Sequence, residues 1–561
     1  MISDTVATLL KKRHIPESQW EEFLRPDYNK LGDPLLMKDL EKGVVRLFEA
    51  IEAKEKICIY ADYDCDGIPG ASAMATFLKK VSPEYFEKYV LVYIPDRHEE
   101  GYGLHHDALV SIIDSGVTLL ITIDLGITAI EEVIYAEGRG CNVIVTDHHL
   151  PKVHDDGSDQ LPHCFAVINP KRSDCQYPEK MLCGSGVIFT FIRGFLDKYR
   201  EYFNVHVGWE KWLLDFVGVA TLSDMVPLVG ENRILAYFGM EVLKQNKRLG
   251  FKALFKSARM DVRYMTEEDV AFTIAPRINA ASRMDKPICA YHLLVADTDI
   301  EADIHASHLS KINDTRKSEV ARIMKEVHKE LDPAHEQGLT PSVVVIGNPL
   351  WRVGVLGLVA SKIVEKYGRS AFVWGREGGE SIKGSCRSDG TVHVVELMRA
   401  LPEGILLAHG GHVGAGGFTV SNEGVFSLRE SLITSFETST PISKETITNF
   451  DLELPLSKID KNLYKDIRTL APFGEANKNP IFRITDARIK AVKNFGKETN
   501  HLEVIFEDSA GREVKSIQFF KTIADYAEKI TVGNTPTILG TVELDTFARF
   551  QPARLRIIDI L

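Results

Sequence analysis

ICIYADYDCDGIPGAS, residues 57–72, opens as an apolar, β-prone run (Ile57, Ile59, Tyr60) and breaks into three acids at alternate positions, Asp62, Asp64 and Asp66. Gly67 ends the strand, and Ala71 to Leu78 begins a helical pattern. A strand that runs through a turn into a helix is how a doubly wound α/β sheet presents side chains at its carboxyl edge, where ligands bind. Three carboxylates within five residues repel one another by several kcal/mol unless a cation sits among them. Carboxylate oxygens suit hard divalent ions such as Mg²⁺ or Mn²⁺. A solvated acidic turn is the alternative for the motif taken alone.

The neighbouring runs repeat the pattern. VLVYIP (90–95), LLITID (119–124), NVIVTD (142–147) and FAVIN (165–169) are near-continuous apolar segments separated by helical patterns. That is the signature of βαβ units with parallel strands buried on both faces. Two of them end in acid: Asp124 closes LLITID, and Asp147 closes NVIVTD with His148 and His149 following. Crossover topology would bring these groups to one edge with the first three. A helical region, Gly184 to Leu222, leads to a further acid in a turn, Asp224 of LSDMVPL. A helix cap is the plainer reading of that residue.

Residues 1–50 read as a polar helical lead-in packing on the first domain, with one amphipathic piece from Leu40 to Ile51. Leu309, Ile312, Val320, Ile323, Met324, Val327 and Leu331 follow three-four spacing, so a long connecting helix is expected, stopped by Asp332-Pro333. A second α/β pattern starts at Ser342, with two small-residue motifs. KGSCRSDG (383–390) reads as a turn and AHGGHVGAGGF (408–418) as a glycine-rich loop. Glycine lets a ligand approach backbone N–H groups, and Arg offers a bidentate phosphate partner. From Thr446 on, short β segments fit a small antiparallel OB-like barrel whose Arg, Lys and Phe residues suit a single-strand groove. A solvated basic face over an aromatic core is the competing view. The expected domains are 1–50, a catalytic α/β domain at 51–300, a connector at 301–335, a smaller α/β domain at 336–440 and the β-barrel at 441–561.

Composition sets bounds. At 561 residues the chain exceeds one core, and 44% hydrophobic with 26% charged residues is ordinary for a globular protein. The net charge of −12 argues against a broadly basic surface, so polyanion binding must be local. Eight cysteines without a C-x-x-C pair read as reduced thiols. The polar, mixed-charge start MISDTVATLLKKRH is not a secretory signal, and no apolar run is long enough for a membrane span. A cytoplasmic protein is expected.

Taken in order, DYDCDG, IDLG, TDHH and SDMVPL resemble the DHH phosphoesterase superfamily. IPDRHEEGYGL, PRINAASRM, KGSCRSDG, GGHVGAGGF and LAPFGEANKNPIF narrow the resemblance to the RecJ-type single-stranded-DNA exonucleases. It runs from about residue 25 to the end. It implies a DHH domain, a DHHA1 substrate-binding domain and a terminal OB-like domain. It also implies two divalent metal ions, Mn²⁺ preferred and Mg²⁺ possible. Asp64, Asp66, Asp124, His148 and Asp224 match the family's metal ligands. Asp62 is placed to ligate or orient, and Asp147 and His149 flank the ligands and could touch the scissile phosphate. Arg97, Arg277, Ser385, Arg387 and His412, with Gly410 and Gly411, match the substrate-binding positions. Ser282, Arg352, Cys386 and Gly416 depart from the family pattern in the substrate half. The implied activity is 5′→3′ degradation of single-stranded DNA to 5′-mononucleotides in repair and recombination, by a monomer. Single-strand-binding protein and a helicase are the expected partners. Two alternatives are a phosphodiesterase for short oligonucleotides or nucleotide signals, and a non-cutting single-strand-binding relative. Physically, two ions about 3.5–4 Å apart would activate water and clamp the phosphoryl oxygens, with Asp124 as bridge and His149 as proton donor.

Overall fold

The structure, a computed structural model, describes residues 2–377, 379, 381–440, 442 and 450–561. The expected start of the terminal domain at Thr446 lies outside these residues. Two of the helices that precede the first sheet enter different cores. In α2 (Leu40–Glu52), Leu40, Val44, Leu47 and Ile51 pack against the first sheet, as expected. In α1 (Asp4–Lys12), Val6, Leu9 and Leu10 instead join Leu456, Leu463 and Ile467 in the C-terminal domain's core. The lead-in is therefore split between two domains. Its amphipathic pattern shows that each helix needs an apolar partner and is silent about which one.

Strands β1 (Lys56–Ala61), β2 (Val90–Tyr93), β3 (Val117–Ile123), β4 (Asn142–Thr146) and β5 (Ala166–Ile168) form a parallel sheet in the order β2-β1-β3-β4-β5. Alternate residues feed two cores: Ile57, Ile59, Leu119 and Ile121 face one, Cys58, Tyr60, Leu120 and Val143 the other. Burial on both faces explains why these strands read as unbroken apolar runs. After β1 the chain crosses to β2 on one side and then to β3 on the other. The switch point between β1 and β3 opens a crevice at their carboxyl ends. Helices α3 (Gly67–Val81), α4 (Gly184–Tyr199) and α5 (Leu214–Ser223) pack together on one face.

Helix α6 (Ala275–Met284) leads toward α7 (Asp299–Glu336), the 38-residue connector. It overruns the expected stop by one turn, with Pro333 inside it. Proline here removes one hydrogen bond close to the helix end, and Leu331 is already seated in the next core. The second sheet holds β6 (Val343–Asn348), β7 (Ser370–Gly375), β8 (Ile382–Arg387), β9 (Leu406–His412) and β10 (Ala415–Val420), in the order β9-β10-β8-β7-β6. Helix α8 (Leu356–Tyr367) packs on it. Both small-residue motifs are strands here, which corrects the turn and the loop. KGSCR lies in β8, and the glycine motif forms the β9–β10 hairpin. Glycine lowers β propensity, which is why the sequence reads as loop.

The terminal domain is one sheet of β11 (Leu452–Glu453), β12 (Phe482–Ile484), β13 (Arg488–Phe495), β14 (His501–Glu507), β15 (Glu513–Gln518), β16 (Ile538–Leu544) and β17 (Ala553–Ile560), ordered β11-β12-β16-β17-β15-β14-β13. It is mixed, because β15 runs parallel to β17 and β11 to β12. The expectation of purely antiparallel pairing is corrected to that extent.

Candidate metal centre and nucleic-acid interface

The ladder of the first sheet continues one residue past each strand. Asp62 N–H donates to the Ile123 carbonyl, Asp124 N–H to Thr146 and Asp147 N–H to Ile168, at 3.0–3.1 Å. Three carboxylates therefore stand in register across the rim. Asp124 adopts φ 64°, a left-handed conformation that costs a non-glycine residue about 1–2 kcal/mol. Such strain persists where the surroundings hold it, commonly at functional sites.

Ligand atoms fall into adjoining groups, each within 4.8 Å: Asp62, Asp64 and Asp124; Asp66, His148 and Asp224; and Asp124, His148 and His149. His148 Nε2 lies 3.1 Å from Asp124 Oδ1 and 3.8 Å from both Asp66 Oδ2 and Asp224 Oδ2. Asp224 caps the end of α5, which delivers it to the rim. Asp66 is fixed by the first turn of α4: the Gly184 and Ser185 amides donate to its two oxygens at 2.6 and 2.7 Å. That arrangement needs glycine, because a Cβ at 184 would lie 2.5 Å from Asp124 Cβ. Gly184→Ala should therefore displace Asp124 or Asp66 and weaken Mn²⁺ activation about tenfold or more. A Mn²⁺ titration of activity, with circular dichroism to verify the fold, checks this.

The electrostatics of the metal-free cluster are unfavourable. Burial first, then the charge of Asp64, holds Asp62 well above the usual carboxylate range. Burial followed by Asp66, Asp64 and Asp62 does the same to Asp124. Asp64 is raised by burial and Asp66, and Asp224 is pushed up to about 8 by burial and the same two neighbours. Among the described residues, neither buried Asp62 Oδ1 nor buried Asp124 Oδ1 accepts a hydrogen bond. Orphaned acceptors amid like charge fit a pair of hard divalent cations.

Asp147 is built differently. It is fully buried, and its oxygens accept from the amides of Ile127, His148 and His149 and from His149 Nδ1 at 2.8 Å. These donors outweigh burial and hold its carboxyl below the usual range. Burial depresses His149, but Asp147 more than offsets that and raises the imidazole to about 9. His148, packed deeper, is lowered by burial.

Beside the rim, a cleft of about 730 Å³ separates the first domain from the second sheet, lined by Tyr63, Arg97, Tyr102, Lys383, Gly384 and His409. Arg97 lies 5.1 Å over the Tyr63 ring. Ser385 and Arg387 meet on β8, with Nη1 to Oγ at 3.2 Å, against the N-terminal turn of α8. There a Cβ on Gly357 would come within 3.0 Å of both side chains. Gly410 and Gly417 oppose each other beside Ser385, so the strands present bare backbone on that face. Gly411 and His412 stand exposed on the edge strand β9.

Arg277 is not brought to this cleft. It donates to Ser310 Oγ at 3.3 Å and to the Thr273 carbonyl at 2.8 Å. The sequence reading missed Arg283, which lies among Arg97, Arg316 and Arg387; burial and then those like charges pull it down to about 9. It also missed Asn279, whose Oδ1 accepts the Cys65 amide at 2.9 Å inside the acid turn. The four-residue spacing of Asn279 and Arg283 puts both on one helix face and was the available signal.

Among the described residues no helix is long and apolar enough to cross a membrane. Residues 56–221 match the DHH family, N-terminal domain; 340–436 match the DHHA1 domain; and 450–559 match the RecJ OB domain. The single-stranded-DNA-specific exonuclease RecJ of Bacillus subtilis is 32% identical over all of this chain and 68% of its own. A solved exonuclease RecJ bound to manganese is 27% identical, with TM-score 0.60 over 72% of this chain and 95% of that one. The RecJ structure from Thermus thermophilus superimposes over the full chain and 76% of its own, with TM-score 0.80 at 23% identity.

Proposed function

The chain belongs to the RecJ family, and from that premise we propose that it degrades single-stranded DNA from the 5′ end to mononucleotides. It is a metal-dependent exonuclease specific for single strands. The observation that carries the reading is the convergence of Asp62, Asp64, Asp66, Asp124, His148 and Asp224 at one rim, with two orphaned buried oxygens.

Asp62, Asp64 and Asp124 would hold one ion and Asp66, Asp124, His148 and Asp224 the other, Mn²⁺ before Mg²⁺. Bound divalent ions lower the pKa of water and offset charge on the phosphoryl oxygens. The protein's own groups do the rest. Asp147 holds the Nδ1 proton of His149, leaving Nε2 to carry a proton toward the phosphate. Hydrolysis adds hydroxide to phosphorus and breaks the P–O3′ bond, and His149 is placed to protonate the departing O3′. Arg97, Arg283, Ser385 and Arg387 bind the terminal 5′-phosphate with the amides of the α8 N-terminus. The glycine strands let the nucleotide lie against backbone, with His412 at their edge. Arg277 is kept as a backbone-phosphate contact reached by turning from Ser310. The working units are 51–300 for catalysis, 301–335 as connector, 336–440 for the 5′ end and 441–561 for the strand beyond. We further infer a cytoplasmic monomer acting in repair and recombination beside single-strand-binding protein and a helicase.

Release from 5′- and 3′-labelled single strands with Mn²⁺, Mg²⁺ or EDTA tests this. The 5′ label should appear first, as a mononucleotide, and EDTA should stop it. Early release of the 3′ label, or release in EDTA, contradicts the reading.

A further inference from the structure

Immediately before α6, residues Val270–Ile274 form a π-helical turn. Such turns inside helices concentrate at functional sites. Val270 and Ile274 are buried, whereas the Phe272 ring between them is 72% exposed. A single exposed aromatic is ordinary on a protein surface; the position of this one is not.

Phe272, Pro276, Asn279 and Arg283 are spaced four, three and four residues apart, which lines them along one face of the helix. Asn279 holds the Cys65 amide of the acid turn. Arg283 sits among the arginines of the cleft and donates to the Gly354 carbonyl at 3.2 Å. Phe272 thus stands about 10 Å along the helix from the metal rim, on the side away from the cleft. Farther in the same direction, Glu267 pairs with both terminal guanidinium nitrogens of Arg468 at 2.8 Å and Glu268 pairs with Arg556 at 2.8 Å, tying this segment to the terminal domain. Arg556 lies 5.5 Å over Phe519, which contacts His501 at 5.2 Å. A strand whose 5′-phosphate occupies the cleft, whose first linkage lies at the metals and which continues to that aromatic surface would run along the helix that carries Phe272.

We propose that Phe272 is a stacking platform for an unpaired base two or more nucleotides 3′ of the scissile phosphate, bridging the metal centre and the terminal domain. This rests on the exonuclease reading above and names a contact that it does not contain. Base–aromatic stacking accepts any base, because every base has a π-face. Phe272 therefore acts on the grip along the strand and contributes to single-strand selectivity, since a paired, stacked base cannot lie on it.

The experiment compares Phe272→Ala and Phe272→Trp with wild type on a 5′-phosphorylated 20-mer and on a dinucleotide too short to reach the ring. Phe272→Ala should lose about tenfold in kcat/KM on the 20-mer, through KM, and lose much less on the dinucleotide. Phe272→Trp should restore the 20-mer. A 20-mer carrying 2-aminopurine near its 5′ end, bound with Ca²⁺ in place of Mn²⁺, should be quenched by wild type and by Phe272→Trp but not by Phe272→Ala. Equal losses on both substrates, or equal quenching by Phe272→Ala, overturn the proposal. A wild-type protein inert on both substrates overturns the exonuclease reading itself, which the variants alone cannot do.

Discussion

Asp124→Asn should abolish metal-dependent nucleotide release, by on the order of a thousandfold or more in kcat, and should leave the metal-free protein more stable than wild type. Asp124 belongs to two of the ligand groups and stands beside His148, so its loss would take a donor from both. Asparagine tolerates the left-handed backbone at this position better than most residues, so the fold is spared. The same substitution removes a buried carboxyl that is costly to ionise beside Asp66, Asp64 and Asp62. Thermal melts in EDTA and in saturating Mn²⁺ separate the effects: the wild type should gain strongly from Mn²⁺ and the variant little. A variant that keeps wild-type turnover with Mn²⁺ would remove Asp124 from the centre.

The pH dependence follows from the same crowding. Asp224 moves from 3.8 to about 8 in the folded, metal-free protein. Between those values the folded state holds a proton that the unfolded chain has released, so stability falls as pH rises through the interval. Melting temperature in EDTA should decline from about pH 5 to pH 8. Saturating Mn²⁺ should flatten or reverse that decline, because the ions take the place of the proton.

Arg387→Ala should lower kcat/KM on a 5′-phosphorylated strand about a hundredfold, mostly through KM. Arg387 and Ser385 meet at the N-terminal turn of α8, and Arg97 and Arg283 add positive charge with little opposing carboxylate. Cationic groups crowded this way are costly until an anion joins them. Comparing 5′-phosphate with 5′-hydroxyl strands identifies the anion. Wild type should prefer the phosphate, and the variant should lose most of that preference. An unchanged preference would move phosphate recognition elsewhere.

Much of this architecture was legible because parallel strands buried on both faces leave a strong apolar signature. Their carboxyl ends were marked by Asp62, Asp124 and Asp147, which the structure sets in register. Less was legible where chemistry and propensity disagree. The glycines of β9 and β10 lower strand propensity while clearing a surface, so the hairpin reads as loop. Between Arg277 and Arg283, motif matching favours the first, whereas helix geometry places the second with Asn279. The destination of α1 was hidden for another reason: an amphipathic stripe specifies burial and leaves the partner core, over four hundred residues away, unnamed.

The most direct test is a crystal of the protein soaked in Mn²⁺ and measured for the metal's anomalous scattering. Two peaks, one bounded by Asp62, Asp64 and Asp124 and the other by Asp66, Asp124, His148 and Asp224, are the expected result. Peaks elsewhere, with these six side chains unliganded at saturating metal, would contradict it.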